Sequence, residues 1–268
     1  MSNVICCDLD EVVFDWLHPF VKFARDNSET FSLDKNKIPN DLRKWTHWNG
    51  YENYGINRDQ FSLIYKEFCK SGAFKTLPPI SGGCDINDRT GKILTNLGNK
   101  KHLFFVTARA PEVILDTVDS LNNIGAYNWH SLIHLAGKKD KTLSDCDTSV
   151  IYSRALGVVM PSKYDTKRSV YEDLKPFIVI DDRPEYIEQA FMAYVPHVIM
   201  VSRLHNKKWR SEKSSRLPPF QFDSISKQYT WCHATLHIVR PNWVDINASL
   251  EGIFKGQENE QNDNRIKR

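Results

Sequence analysis

Two pairs of carboxylates in this chain are placed where chemistry could be done. Asp8 and Asp10 end the apolar run VICC at residues 4–7, and Asp181 and Asp182 follow FIVI at 177–180. A charge at the end of a buried strand is costly unless it is paired or holds a metal. Two strands that deliver carboxylates to one edge make a site for a hard cation. Mg²⁺ suits it, because that ion prefers a few carboxylate oxygens together with water and substrate phosphate. Other polar strand ends extend the set. FFVTAR places Thr107 after a second apolar run, where its hydroxyl and the backbone N–H of Ala108 could hold a phosphate oxygen. Lys167 precedes Asp181 by 14 positions, just inside a helix pattern, and could neutralise the same phosphate. Arg109 could touch substrate or pair with an acid on the surface.

These residues need elements that bring them together. Continuous apolar runs at 4–7, 102–107, 131–135, 177–180 and 197–201 suit strands covered on both faces, as in a parallel sheet. Helical patterns lie between them. PEVILDTVDSLNNIG opens on Pro111 in its first turn, DTKRSVYEDL has Asp165 as a possible cap, and RPEYIEQAF opens on Pro184. Alternating strand and helix give the α/β class, and in open sheets of that class ligands bind beyond the carboxyl ends of the strands. The gap between the first and second strands is about twice what one crossover requires, so an insertion is expected there. Phe61, Ile64, Tyr65 and Phe68 recur at helical spacing within it. The expected organisation is a core of residues 1–14 and 85–205, a helical insertion of residues 15–84, and a C-terminal extension of residues 206–268. That extension holds a polar linker NKKWRSEKSSRLPP, a further strand in YTWCHATLHIV and a disordered tail KGQENEQNDNRIKR.

The D-x-D, the VTAR, the spaced lysine and the IDD, in this chain order, resemble the motifs of the haloacid dehalogenase superfamily of aspartate-nucleophile phosphohydrolases. The resemblance covers about residues 1–205 and implies a Rossmann-like core with a mainly parallel sheet and a helical cap inserted after the first strand. It implies that Asp8 attacks phosphorus to form an aspartyl-phosphate. Asp10 would protonate the leaving oxygen and then activate water, and Thr107, Ala108 and Lys167 would bind phosphate. Mg²⁺ would be held by Asp8, the backbone carbonyl of Asp10, and Asp182, with Asp181 as a neighbour. GAFKTLPPISGG, IDDRPE and the insertion after the first motif are similar to the 5'(3')-deoxyribonucleotidases. That likeness implies a nucleoside monophosphate substrate and cap aromatics that hold the base, with Trp16, Phe20, Trp45, Trp48 and Tyr51 as possible counterparts. Packing of the insertion's own core is the alternative for each of them. In the superfamily a Gly usually follows the second Asp, where the chain turns tightly. Here Glu11 stands there, expected to narrow the entrance or repel an anionic substrate. Lys141, in KKDKT, matches the nucleotidases' local wording and Lys163 lies near, but only Lys167 has the usual spacing to the acidic pair.

Composition narrows the field without deciding it. Thirty-six Lys and Arg against 33 Asp and Glu leave a net charge of +3, too small to argue for nucleic acid or a membrane. The six cysteines form no CxxC pair, and His47, His130, His134 and His205 have no mutual ligand spacing, so neither zinc nor a disulfide framework is expected. No signal peptide or bilayer-spanning run is read, and a cytoplasmic location is expected. Two rival readings remain open. One is a phosphatase of nucleic-acid 3' ends that docks through the C-terminal extension. The other is a non-catalytic phosphate-sensing or partner-binding module in which Glu11 blocks entry.

Overall fold

The structure is a computed structural model, and it describes residues 3–38, 42, 45, 50–80, 87–135, 158–160, 164–207, 209, 221–223, 228–231 and 234–266. Its strands are β1 (Val4–Cys7), β2 (His102–Thr107), β3 (Ser131–His134), β4 (Val158–Met160), β5 (Ile178–Asp181), β6 (His197–Val201), β7 (Gln221–Asp223), β8 (Gln228–Trp231) and β9 (Ala234–Val239). They form one sheet in the order β4-β3-β2-β1-β5-β6-β9-β8-β7. From β4 to β9 in that order every pair is parallel, whereas β8 runs antiparallel to β9 and β7 to β8. The expected α/β class with a mainly parallel sheet is therefore the one observed.

The apolar runs form central strands because both of their faces are covered. Ile5, Cys7, Leu103, Phe105, Ile178 and Ile180 enter one hydrophobic core, while Cys6, Phe104, Val106 and Val179 enter a second. Alternate residues of a strand point to opposite faces, so each run feeds two cores at once. The chain order reverses at β1, with β2 on one side and β5 on the other. This is the kind of switch point at which open α/β sheets leave a crevice.

The helices are α1 (Leu17–Asp26), α2 (Arg58–Lys70), α3 (Asn87–Lys100), α4 (Ile114–Asn123), α5 (Lys167–Leu174), α6 (Pro184–Met192) and α7 (Trp243–Ile266). Two of them, α1 and α2, build the insertion after β1. Asn57 and Gln60 close a capping box at the start of α2. Phe20 lies 5.3 Å from Phe61 and 5.6 Å from Phe68, and Tyr51 stacks on Phe61 at 4.3 Å. Trp16, Phe20, Trp45 and Tyr51 are all buried. They pack as the insertion's own core rather than presenting faces to a ligand, while Trp48 lies outside the described residues. The insertion is tied to the core near its end, where Ser120 Oγ donates to Phe74 O and Asn123 Nδ2 to Lys75 O at 2.9 Å.

Several expectations are corrected. The cap of α5 is Thr166, whose hydroxyl accepts from Ser169 N, and not Asp165. The segment between β3 and α5 contains β4, which was not anticipated. Residues 136–157 and 161–163 of that segment, with Lys141 and Lys163, lie outside the described residues, as does most of the 206–219 linker. The C-terminal extension supplies three strands where one was expected: β9 pairs with β6 and carries β8 and β7 beyond it. Nor is residue 255 the start of a disordered tail, because α7 continues to Ile266. Its first half is anchored by buried Trp243, Ile246, Leu250 and Ile253 at helical spacing, and propagation beyond an anchored nucleus costs little. No helix among the described residues is long and apolar enough to cross a membrane.

Candidate active site

The site is assembled by strand register. Cys7 pairs with Ile180, and the next backbone step donates Asp8 N to Ile180 O at 2.9 Å, so Asp8 and Asp181 leave adjacent strands side by side. Lys167, the first residue of α5, places its ammonium between them, with Nζ 2.7 Å from Asp8 Oδ1 and 2.7 Å from Asp181 Oδ2. Lys167 is thus brought into contact with one acid of each pair. Asp181 Oδ1 accepts from the N–H groups of Asp182 and Arg183, which fixes the turn into α6.

Asp182 stands beside this pair, 1% exposed. His205 Nε2 lies 2.6 Å from its Oδ2, a contact that is an ion pair when the imidazole is protonated, and neither oxygen of the Asp182 carboxylate accepts a hydrogen bond. Ligand oxygens of Asp8, Asp181 and Asp182 fall within 4.8 Å of one another. Lys167, even with His205 beside Asp182, leaves three buried carboxylates in excess of positive charge. Without a further cation, burial pushes Asp8 well above the ordinary carboxylate range; Lys167 opposes this, and Asp181, Asp182 and Asp10 add to it. Burial likewise raises Asp181, with Lys167 opposing and Asp182 adding. Burial works against the charge on Lys167 too, but Asp181 and Asp8 outweigh it and hold the ammonium above its usual value. An all-oxygen donor set with uncompensated charge and two oxygens lacking hydrogen bonds fits a hard divalent ion such as Mg²⁺.

Asp10 is held apart from this cluster. Arg109 Nε reaches its Oδ1 and Oδ2 at 3.0 and 3.2 Å, and Arg109 Nη2 reaches Oδ1 at 2.7 Å. Of the two roles open to Arg109, pairing with an acid is the one observed, though in a sealed position rather than on the surface. Thr107 ends β2, fully buried, and its Oγ1 accepts from Arg109 N at 3.2 Å. With that lone pair used, the hydroxyl hydrogen remains to be donated. Ala108 beside it is exposed.

Glu11 does not do what its position suggested. Its backbone is left-handed, with φ of 62°. Its side chain is 2% exposed and turns inward, where Oε1 accepts from Trp16 N at 3.2 Å and Leu17 N at 3.1 Å, and Oε2 pairs with Arg203. It caps α1 from outside the helix and is neutralised, so it neither narrows the entrance nor repels an anion. Sequence reasoning also missed the segment after β6. There Asn206 Nδ2 donates to Asp182 O at 2.7 Å and to Val201 O at 2.8 Å, beside His205 and Arg203. It missed Trp243, which donates from Nε1 to Val12 O at 3.0 Å and so holds the loop that carries Asp10. The HN pair after HVIMV was the only local signal for any of these.

No family model matches the chain, and no curated protein matches it. Solved structures similar to it include a haloacid dehalogenase-like family hydrolase from Streptococcus pneumoniae, at 13% identity, covering 75% of this chain and 85% of that one with a TM-score of 0.45. A chain described as a beta-phosphoglucomutase from Thermotoga maritima is 12% identical over 94% of this chain and 100% of that one, with a TM-score of 0.44. A 2-haloacid dehalogenase from Pseudomonas syringae is 15% identical over 81% and 92%, with a TM-score of 0.34. At such identities and TM-scores these likenesses carry no functional inference, which rests on the residues themselves.

Proposed function

We propose that this chain is a Mg²⁺-dependent phosphomonoesterase that works through an aspartyl-phosphate, with nucleoside monophosphates as the substrate class to test first. The reading is supported above all by the convergence of Asp8, Asp181 and Asp182 around Lys167 at the strand-order reversal. Asp8 forms a bond to phosphorus as the bond to the leaving oxygen breaks, and Asp10 supplies that oxygen with a proton. Asp10 then takes a proton from water, which attacks the same phosphorus and releases phosphate and Asp8. Lys167, Thr107 Oγ1 and Ala108 N–H hold the phosphoryl oxygens and offset the repulsion between anionic nucleophile and anionic substrate. Asp8, Asp182 and the backbone carbonyl of Asp10, with Asp181 adjacent, would hold Mg²⁺, which would supply further charge neutralisation. The nucleotide preference is supported only by motif resemblance, since the four described aromatics proposed to hold a base are buried in the insertion.

The test is a phosphate-release screen over nucleotides, sugar phosphates, aryl phosphates and oligonucleotide 3' ends, with Mg²⁺ or EDTA. Metal-dependent release is expected, and Asp8→Asn should lower it by at least about a thousandfold with the fold intact. Wild-type-like rates in that variant, or none from the wild type on any ester, contradict the proposal. Preference for 3' ends over mononucleotides, with steep salt dependence, replaces the substrate class with nucleic acid.

A further inference from the structure

Arg109 is among the largest fully buried side chains described, beside Trp45, Trp129 and Trp243. A guanidinium sealed in this way needs partners, and each nitrogen has one. Nε and Nη2 grip Asp10, and Nη1 donates to Thr117 Oγ1 at 3.1 Å. The guanidinium carbon lies 5.3 Å from the centre of the Phe14 ring and 4.8 Å from that of Phe74. Its main chain is anchored as well, with N on Thr107 Oγ1 and O facing His134 Nδ1 at 3.4 Å. With 0% side-chain exposure Arg109 is closed to substrate, whereas the Asp10 side chain it grips is 19% exposed.

We propose that Arg109 is the positioning residue for Asp10: its fork fixes the plane and reach of the carboxylate that exchanges a proton with the leaving oxygen. This rests on the phosphomonoesterase reading. Two N–H groups on one face of a carboxylate leave its opposite lone pairs directed outward, which a single ammonium donor does not enforce. The same residue fixes Thr107, so the loops after β1 and β2 are indexed to each other through one side chain. In the first half-reaction the O–H bond of Asp10 breaks as the leaving oxygen gains the proton, and the resulting carboxylate stays on the guanidinium. In the second half-reaction it recovers a proton from water.

A proton donor matters most when the leaving group is poor, and this separates positioning from general support of the fold. Wild type, Arg109→Lys, Arg109→Gln and Asp10→Asn are assayed with Mg²⁺ on p-nitrophenyl phosphate and on a simple alkyl phosphate. Both Arg109 variants are expected to lose about 100-fold in kcat on the alkyl ester, as a mispositioned acid would, and only a few-fold on the aryl ester, following the pattern of Asp10→Asn. Arg109→Lys keeps a cation in place, so a failure of Arg109→Gln to fold leaves the comparison intact. Equal losses on both esters, or none, overturn the positioning role while leaving the phosphatase reading standing. Full turnover by Asp10→Asn removes the acid and its positioner together. A wild type inert toward both of these esters and toward every ester of the screen above overturns the phosphatase reading itself.

Discussion

Asp182 has two buried carboxylate oxygens that accept no hydrogen bond, next to an Asp8 that burial pushes upward. A ligand carboxylate must be deprotonated to bind metal, so protons would compete with the Mg²⁺ proposed for this site. Because the shift of Asp8 is upward, protons are held to higher pH than on an ordinary carboxylate. Mg²⁺ affinity is therefore expected to weaken as pH falls, with protons released on binding wherever Asp8 is still protonated. Calorimetry in two buffers of different ionisation enthalpy reads that release. Asp182→Asn should weaken Mg²⁺ binding by more than about 10-fold and shrink the rise in thermal midpoint that Mg²⁺ produces. At this scale the sequence was legible where local rules applied: acids at strand ends, and a lysine at a spacing that a helix and a strand can bridge. Glu11 and Arg109 were not legible in the same way. Glu11 finds Arg203 at a distance of 192 residues and Arg109 finds Asp10 at 99, and no local pattern announces such pairings.

Among elements, α3 illustrates close approach. A Cβ on Gly91 would lie 1.7 Å from Ile124 O, and one on Gly98 would lie 2.3 Å from Asn128 O, so the helix rests directly on the backbone that follows α4. Thr95 Oγ1 reaches Gly125 O at 2.9 Å along the same seam. Gly91→Ala is expected to destabilise the fold by about 3 kcal/mol, at the upper end of overpacking costs, because backbone cannot yield as a side chain can; urea unfolding measures it. The strands that sequence reading located are those covered on both faces, whose apolar runs stand out. β4 escaped because it has three residues, and β7 because it is an equally short strand at the other edge. The run YTWCHATLHIV, expected as one further strand, holds parts of two: β8 ends at Trp231 and β9, antiparallel to it, begins at Ala234. The first half of α7 carries apolar residues at helical spacing, but its polar second half has the composition of a tail.

Across the whole molecule the chain's late segments complete its early ones. β9 extends the parallel sheet, α7 packs against it, and Trp243 ties the loop after β1 through Val12 O. Trp243→Ala is expected to cost about 3–5 kcal/mol in urea unfolding. Trp243→Phe keeps most of the ring and loses the indole N–H, at about 1 kcal/mol. On the proposed function, its rate of phosphate release is expected to fall by more than that stability loss predicts, because the tether to the Asp10 loop goes with the N–H. The same tether sets a clock on biosynthesis. Val12 and Trp243 are 231 residues apart, which a ribosome covers in about 10–50 s at about 5–20 residues per second. Asp8 and Asp10 are made at the start of that interval and Asp181 and Asp182 near its end, so a chain that has just completed its cluster of acids still lacks the indole that holds the loop after the first strand, and on the proposed function onset of turnover is expected to await emergence of residue 243.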